Sequence, residues 1–111
     1  MNTAGGPRAV PAAEVPAQAY LLDVREDDEW TAGHAPDAQH IPLGALREQA
    51  GQVPRDRDVY VICRAGSRSA RAAQALNSAG WQAINVADGM QGWESAGLPM
   101  TSESGAEPFV A

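Results

Sequence analysis

The segment Asp58-Val59-Tyr60-Val61-Ile62 constrains the fold more than any other stretch of the chain. Its β-branched and aromatic residues favour extended backbone, and four successive apolar side chains load both faces of a strand. Such a strand needs cover on both sides. Tyr20-Leu21-Leu22-Asp23-Val24 and Gln82-Ala83-Ile84-Asn85-Val86 read as further buried strands. Arg8-Ala9-Val10 reads as a short edge strand stopped by Pro11, and His40-Ile41 as a short extended piece before Pro42. Between them, helices are expected over residues 11–17, 25–33, 43–49, 69–79 and 90–96. The fourth carries Ala72, Ala73, Ala75 and Leu76 as a smooth surface for lying on a sheet, with Gly80 at its C-cap. Strands alternating with helices at this spacing predict an α/β fold, a parallel sheet covered on both faces.

The 111 residues suffice for one domain, expected over residues 8–100, with a flexible leader at 1–7 and a flexible tail at 101–111. Hydrophobic residues make up 44% and charged residues 20%, a globular composition. Eight Arg against fourteen acids give a net charge of −6, which argues against nonspecific nucleic-acid or anionic-membrane partners. No apolar run approaches the ~18 residues of a membrane span, and Ala17-Gln18-Ala19 lacks the apolar stretch that would make it a signal-peptide cleavage site. A single Cys excludes an internal disulfide and a Cys-rich metal site, so a reducing, cytoplasmic setting is expected.

That Cys stands where the strongest strand runs into Cys63-Arg64-Ala65-Gly66-Ser67-Arg68-Ser69 and then a helix. Parallel α/β sheets bind ligands at the carboxyl ends of their strands, against the N-termini of the following helices. Turn amides and the helix dipole favour a thiolate there, and Arg64 and Arg68 add full charges. Gly66 permits a positive φ, so that successive amides turn inward as an anion-holding nest, and Ser67 or Ser69 is placed to cap the helix. On position alone, a lone Cys at a strand end is more often a small core hydrophobe. What points to chemistry is the coincidence of strand, Cys, Gly, two Arg and helix start within seven residues that hold no acid.

At this loop the chain resembles the rhodanese family of single-domain sulfurtransferases. Leu21-Leu22-Asp23-Val24-Arg25, Glu29-Trp30, Gly33-His34-Ala35-Pro36-Asp37-Ala38 and Ile41-Pro42-Leu43 are similar to its first signature. Residues 63–69 are similar to its active loop, and Gly80-Trp81 through Val86, Gly89-Met90, Trp93 and Gly97-Leu98-Pro99 to its C-terminal signature. The resemblance implies a rhodanese-like, five-stranded, mostly parallel sheet with helices on both faces. It also implies a catalytic Cys63 that takes a sulfane sulfur as a persulfide, with Arg64, Ala65, Gly66, Ser67, Arg68 and Ser69 binding the substrate. The implied donor is a small anion such as thiosulfate, the acceptor cyanide, a thiol or a protein, and no metal or organic cofactor is called for. Cys-dependent phosphatases use a Cys-x5-Arg loop, whereas Cys63 to Arg68 is Cys-x4-Arg, a tighter cradle that suits a sulfur atom.

Two departures bear on the substrate. Ala65 stands where thiosulfate-specialised members carry a second basic residue, and Asp88 precedes Gly89 where the family has Gly-Gly; facing the loop, Asp88 would raise the Cys63 pKa. A persulfide relay serving a partner enzyme and a noncatalytic interaction module are the alternative readings. The remaining candidates are architectural. Asp23 and Arg25 flank a buried strand end, His34 is a hydrogen-bonded structural residue, and the acids from Glu26 to Glu29 form a solvated helix start. Trp30, Trp81 and Trp93 are core or rim anchors, Trp93 lining the pocket wall in one arrangement.

Overall fold

The strand over Asp58–Ile62 is central, as a strand with two apolar faces must be. The computed structural model describes residues 7–111; residues 1–6 of the expected leader lie outside them. Five strands run parallel: β1 (Ala9–Val10), β2 (Tyr20–Asp23), β3 (Gln39–His40), β4 (Asp58–Ile62) and β5 (Gln82–Val86), in the spatial order β1-β5-β4-β2-β3. The helices are α1 (Asp27–Ala32), α2 (Leu46–Gln49), α3 (Ser67–Ser78) and α4 (Gly89–Ser95). Short 3₁₀ turns at Ala12–Glu14 and Leu43–Ala45 replace part of the helix expected at each place, and a third at Ala50–Gln52 follows α2 where no helix is expected. Pro11 and Pro16 bracket the first of these turns and leave no room for a longer helix.

Side chains alternate across the sheet. Val59, Val61 and Cys63 join Leu22 and Val24 against Ala72, Ala73 and Leu76 of α3 and Leu46 of α2. Tyr60 and Ile62 join Leu21, Ile84 and Val86 on the opposite face, against Ala12 and Met90. Two apolar layers therefore meet at β4, and the residue after its last position is carried into the first of them.

Where β2 ends, two full charges are buried. Asp23 and Arg25 are both 0% exposed and form a bidentate pair, Arg25 Nη2 donating to Asp23 Oδ2 at 2.8 Å and Nε to Oδ1 at 2.9 Å. Arg25 Nη2 also donates to the Gly33 carbonyl at 2.8 Å, tying the end of α1 to the sheet. Trp30 of α1 is half-buried between two imidazoles, its ring 3.4 Å from His34 and 4.7 Å from His40, both stacked.

The tail, expected to be flexible, makes specific contacts with this end of the molecule. Thr101 exchanges backbone hydrogen bonds with His34 at 2.9 Å each way, and Glu103 Oε2 lies 2.6 Å from His34 Nε2. Phe109 N–H donates to the Ala32 carbonyl at 3.1 Å. Gly33 allows this approach, because a Cβ there would overlap the Phe109 backbone. The sequence carries no local sign of these contacts, since the groups that hold the tail lie about seventy residues upstream.

A buried ion pair stripped of one partner leaves an unpaired charge in the core. Asp23→Ala should therefore destabilise the chain by about 3–5 kcal/mol, read as a lowered urea midpoint with the slope unchanged.

Candidate active site

β4 delivers Cys63 to the carboxyl edge of the sheet, where it is 1% exposed. The chain then turns through Arg64, Ala65 and Gly66 into α3. Cys63 Sγ accepts the Gly66 N–H at 3.1 Å and lies 3.2 Å from Ser69 Oγ. Gly66 sits at φ +105°, and a Cβ there would run into the Ala87 carbonyl oxygen, so the turn requires glycine. Across the turn, the Cys63 carbonyl accepts Met90 N–H at 2.8 Å and the Arg64 carbonyl accepts Gln91 N–H at 3.0 Å. α4 approaches this closely because Gly89 has no side chain to strike the same two carbonyls. The carbonyls of Cys63 and Arg64 are thus occupied by α4, and the Gly66 amide faces the sulfur.

Burial by itself pushes the Cys63 thiol up, because it disfavours the thiolate. The Ser69 hydroxyl and the backbone amides of Ser69, Gly66 and Ala65 outweigh it, so the pKa lies below its ordinary value. The helix begins at Ser67, two residues earlier than expected, with Gly66 as its N-cap. Neither Ser67 nor Ser69 caps it. The Ser69 hydroxyl is turned inward instead, toward Cys63, the Gly66 carbonyl and Asn85 Oδ1.

The two arginines have separate fates. Arg64 is exposed, and its Nε donates to the Ala111 carbonyl at 3.0 Å. Arg68, expected as an available cation, is engaged: its Nη1 and Nη2 donate to Glu29 Oε1 and Oε2 at 2.8 and 2.9 Å. That hydrogen-bonded pair holds the Glu29 carboxyl down to about 2, and pushes the Arg68 guanidinium up. Glu29 is therefore not part of a solvated helix face. The capping box of α1, in which Glu26 N–H donates to Glu29 Oε1 at 2.9 Å, turns it toward α3.

Ala65 and Ser67 are exposed on the turn and the first residue of α3. Asp88 points elsewhere, its Oδ1 accepting Ala12 N–H at 2.7 Å. Trp93 lines a separate apolar cavity of about 310 Å³ with Leu21, Ala38 and Leu98, which Cys63 does not reach. Sequence reasoning passed over Asn85, whose signal is an amide in the otherwise apolar Ala83-Ile84-Asn85-Val86 run of a buried strand. It also missed the partnership of Glu29 with Arg68, for which the sequence has no local signal.

A nearly all-buried thiol in a strand-to-helix turn of amides, on a five-stranded parallel sheet, defines a class of cysteine-centred α/β domains. Residues 11–96 match the family model described as the rhodanese-like domain. Over 86 residues the chain is 37% identical to the candidate sulfurtransferase YtwF of Bacillus subtilis (strain 168), covering 78% of this chain and 84% of YtwF. It is 39% identical over 74 residues to the candidate sulfur carrier protein YrkF of the same organism, spanning 66% of this chain and 40% of YrkF. The crystal structure of a rhodanese-related protein from Thermoplasma volcanium superposes with a TM-score of 0.80 at 34% identity, covering 85% of this chain and 97% of that one. The chain belongs to the rhodanese-like domain family.

The pairing of Glu29 with Arg68 makes stability depend on pH in a defined window. The Glu29 carboxyl binds its proton more weakly in the folded chain, so the pair contributes in full above about pH 4.5 and is lost as pH falls toward 2. Glu29→Gln should flatten that part of the stability profile while lowering stability at pH 7, as measured by denaturant unfolding across the acid range.

Proposed function

We propose that the chain is a sulfurtransferase that carries a sulfane sulfur on Cys63 as a persulfide. The observation that carries this reading is the cradle itself, in which Gly66 N–H and Ser69 Oγ converge on one buried sulfur. Cys63 is the nucleophile. The ring from Arg64 to Ser69 holds the anionic part of the donor, its exposed members Arg64, Ala65 and Ser67 meeting it first. With thiosulfate, the Cys63 thiolate attacks the outer sulfur, a Sγ–S bond forms, and the bond to the sulfonate sulfur breaks as sulfite leaves with the electron pair. Cyanide or a thiolate then attacks the terminal sulfur, the Sγ–S bond breaks, and the pair returns to Sγ. At each return of charge, the Gly66 amide is already aimed at it and the Ser69 hydroxyl lies within reach, so little reorganisation is needed. Neither half-reaction calls for a metal or an organic cofactor, and both call for a reduced Cys63, which suits the cytoplasm.

A second reading, a persulfide relay fed by a partner protein, is favoured by one observation. Arg68 is bound to Glu29 and Ala65 carries no charge, so of the loop's cations only Arg64 is left open to a small dianion. A donor that presents its sulfur at the end of a protein side chain needs less charge at the site. The likeness to the sulfur carrier candidate YrkF supports the same reading.

Incubation with thiosulfate should add one sulfur atom to the intact mass, reversibly by reductant, and Cys63→Ser should abolish the gain. Faster loading from a cysteine desulfurase persulfide than from thiosulfate would select the relay. No sulfur uptake from either donor by freshly reduced protein would overturn both.

A further inference from the structure

The buried Asn85 sits behind the cradle, on β5, and takes no part in the reaction as drawn above. It is 7% exposed, and both ends of its amide are engaged: Nδ2 donates to the Gly66 carbonyl at 3.2 Å, and Oδ1 accepts the Ser69 hydroxyl at 2.6 Å. The Gly66 carbonyl decides which end is which, since a reversed amide would set acceptor against acceptor. Ser69 has one hydroxyl proton, and three acceptors lie within its reach. Asn85 Oδ1 is the nearest at 2.6 Å, while Cys63 Sγ and the Gly66 carbonyl are each at 3.2 Å.

We infer that Asn85 is a positioning residue that holds the Ser69 proton while Cys63 is uncharged and releases it to Sγ when the thiolate forms. The competition follows from counting. A hydroxyl donates once, so a bond to the thiolate leaves Asn85 Oδ1, in a buried site, without its donor. Asn85 thereby limits how far the hydroxyl lowers the Cys63 pKa, and keeps the nucleophile basic enough to attack. When the sulfur becomes a persulfide, the charge moves to the outer atom and the Ser69 hydroxyl returns to Asn85. The charged groups on the surrounding elements each have other partners: Arg64 on the turn donates to the Ala111 carbonyl, Arg68 of α3 pairs with Glu29 of α1, Asp23 pairs with Arg25 after β2, and Asp88 before α4 accepts the Ala12 N–H.

The test is the pH dependence of Cys63 alkylation by iodoacetamide in the full chain. Removing the competing acceptor with Asn85→Leu should lower the midpoint by roughly half to one pH unit, and Ser69→Ala should raise it by a similar amount. In the double variant, Asn85→Leu should add nothing to Ser69→Ala. A midpoint that stays or rises in Asn85→Leu, or falls equally in the Ser69→Ala background, would overturn the inference, the latter marking Asn85 as merely structural. Should Asn85→Leu fail to fold, the ¹³Cγ resonance of Asn85 in the unaltered chain serves in its place. It should move with the Cys63 titration and hold still in Ser69→Ala; a resonance that ignores the titration, or follows it equally in both proteins, overturns the inference. The inference rests on Cys63 as the sulfur carrier, yet alkylation reads ionisation alone. A chain that shows these shifts and never takes up sulfur would refute the proposed function and leave the role of Asn85 standing.

Discussion

The polar groups of the backbone turn after β4 are divided among definite partners. The carbonyls of Cys63 and Arg64 are taken by the first amides of α4, the Gly66 carbonyl by the Asn85 amide and the Ala70 N–H, and the Gly66 N–H by the sulfur. This division depends on two helices starting at the same edge of the sheet. A parallel sheet supplies that arrangement, because every crossover returns the chain to begin a helix at the carboxyl side. Gly66 and Gly89 then permit the approach, one by its positive φ against the Ala87 carbonyl and the other by its bare Cα against the turn. The Asp23–Arg25 pair secures the neighbouring strand end, and through the Gly33 carbonyl it fixes where α1 stops.

The strands and the position of the Cys were legible because their causes are local. A run such as Val59-Tyr60-Val61-Ile62 reports its own burial, and a Gly three residues after Cys63 reports its own turn. Side-chain partners are a different matter, since they follow from register. Val61 pairs with Asn85, and alternation then places Asn85 on the α3 face, the same face as Cys63. A one-residue slip would have sent it to the opposite layer. The identity of the residue was visible; which face it served was decided by the sheet. Ser69 shows the same limit, for a serine near a helix start reads as a cap, yet Gly66 already fills that position and frees the hydroxyl for the interior.

Electrostatics was the least legible part. Residues 63–71 hold three Arg and no acid, a local +3, against −5 for residues 1–62 and −4 for residues 72–111. Counted along the chain, the loop is a cationic island. Counted in space it is smaller, because Glu29, in contact with Arg68 across thirty-nine positions of sequence, neutralises one of the three charges. The exchange has a use. Arg68 is held in one rotamer by a two-pronged bond, so it braces α1 against the first turn of α3. A guanidinium so engaged contributes rigidity to the cradle more than attraction to an incoming anion.

That trade bears on how a donor arrives. Outside residues 63–71 the chain carries −9, and a small dianion approaching from bulk meets that field until it is within about 8–10 Å of the loop, where screening isolates the local charge. Arg64, exposed at the rim of the turn, then favours its entry, with the exposed Arg71 one helical turn further along α3. A protein donor meets the same surface differently. A basic rim on the partner would be drawn to the acidic body as a whole, and the docked pair would present its persulfide to Cys63 without the sulfur itself needing to carry the attraction. On the relay reading, the acidity of the chain, which weighs against small anionic donors, would be what favours a basic partner.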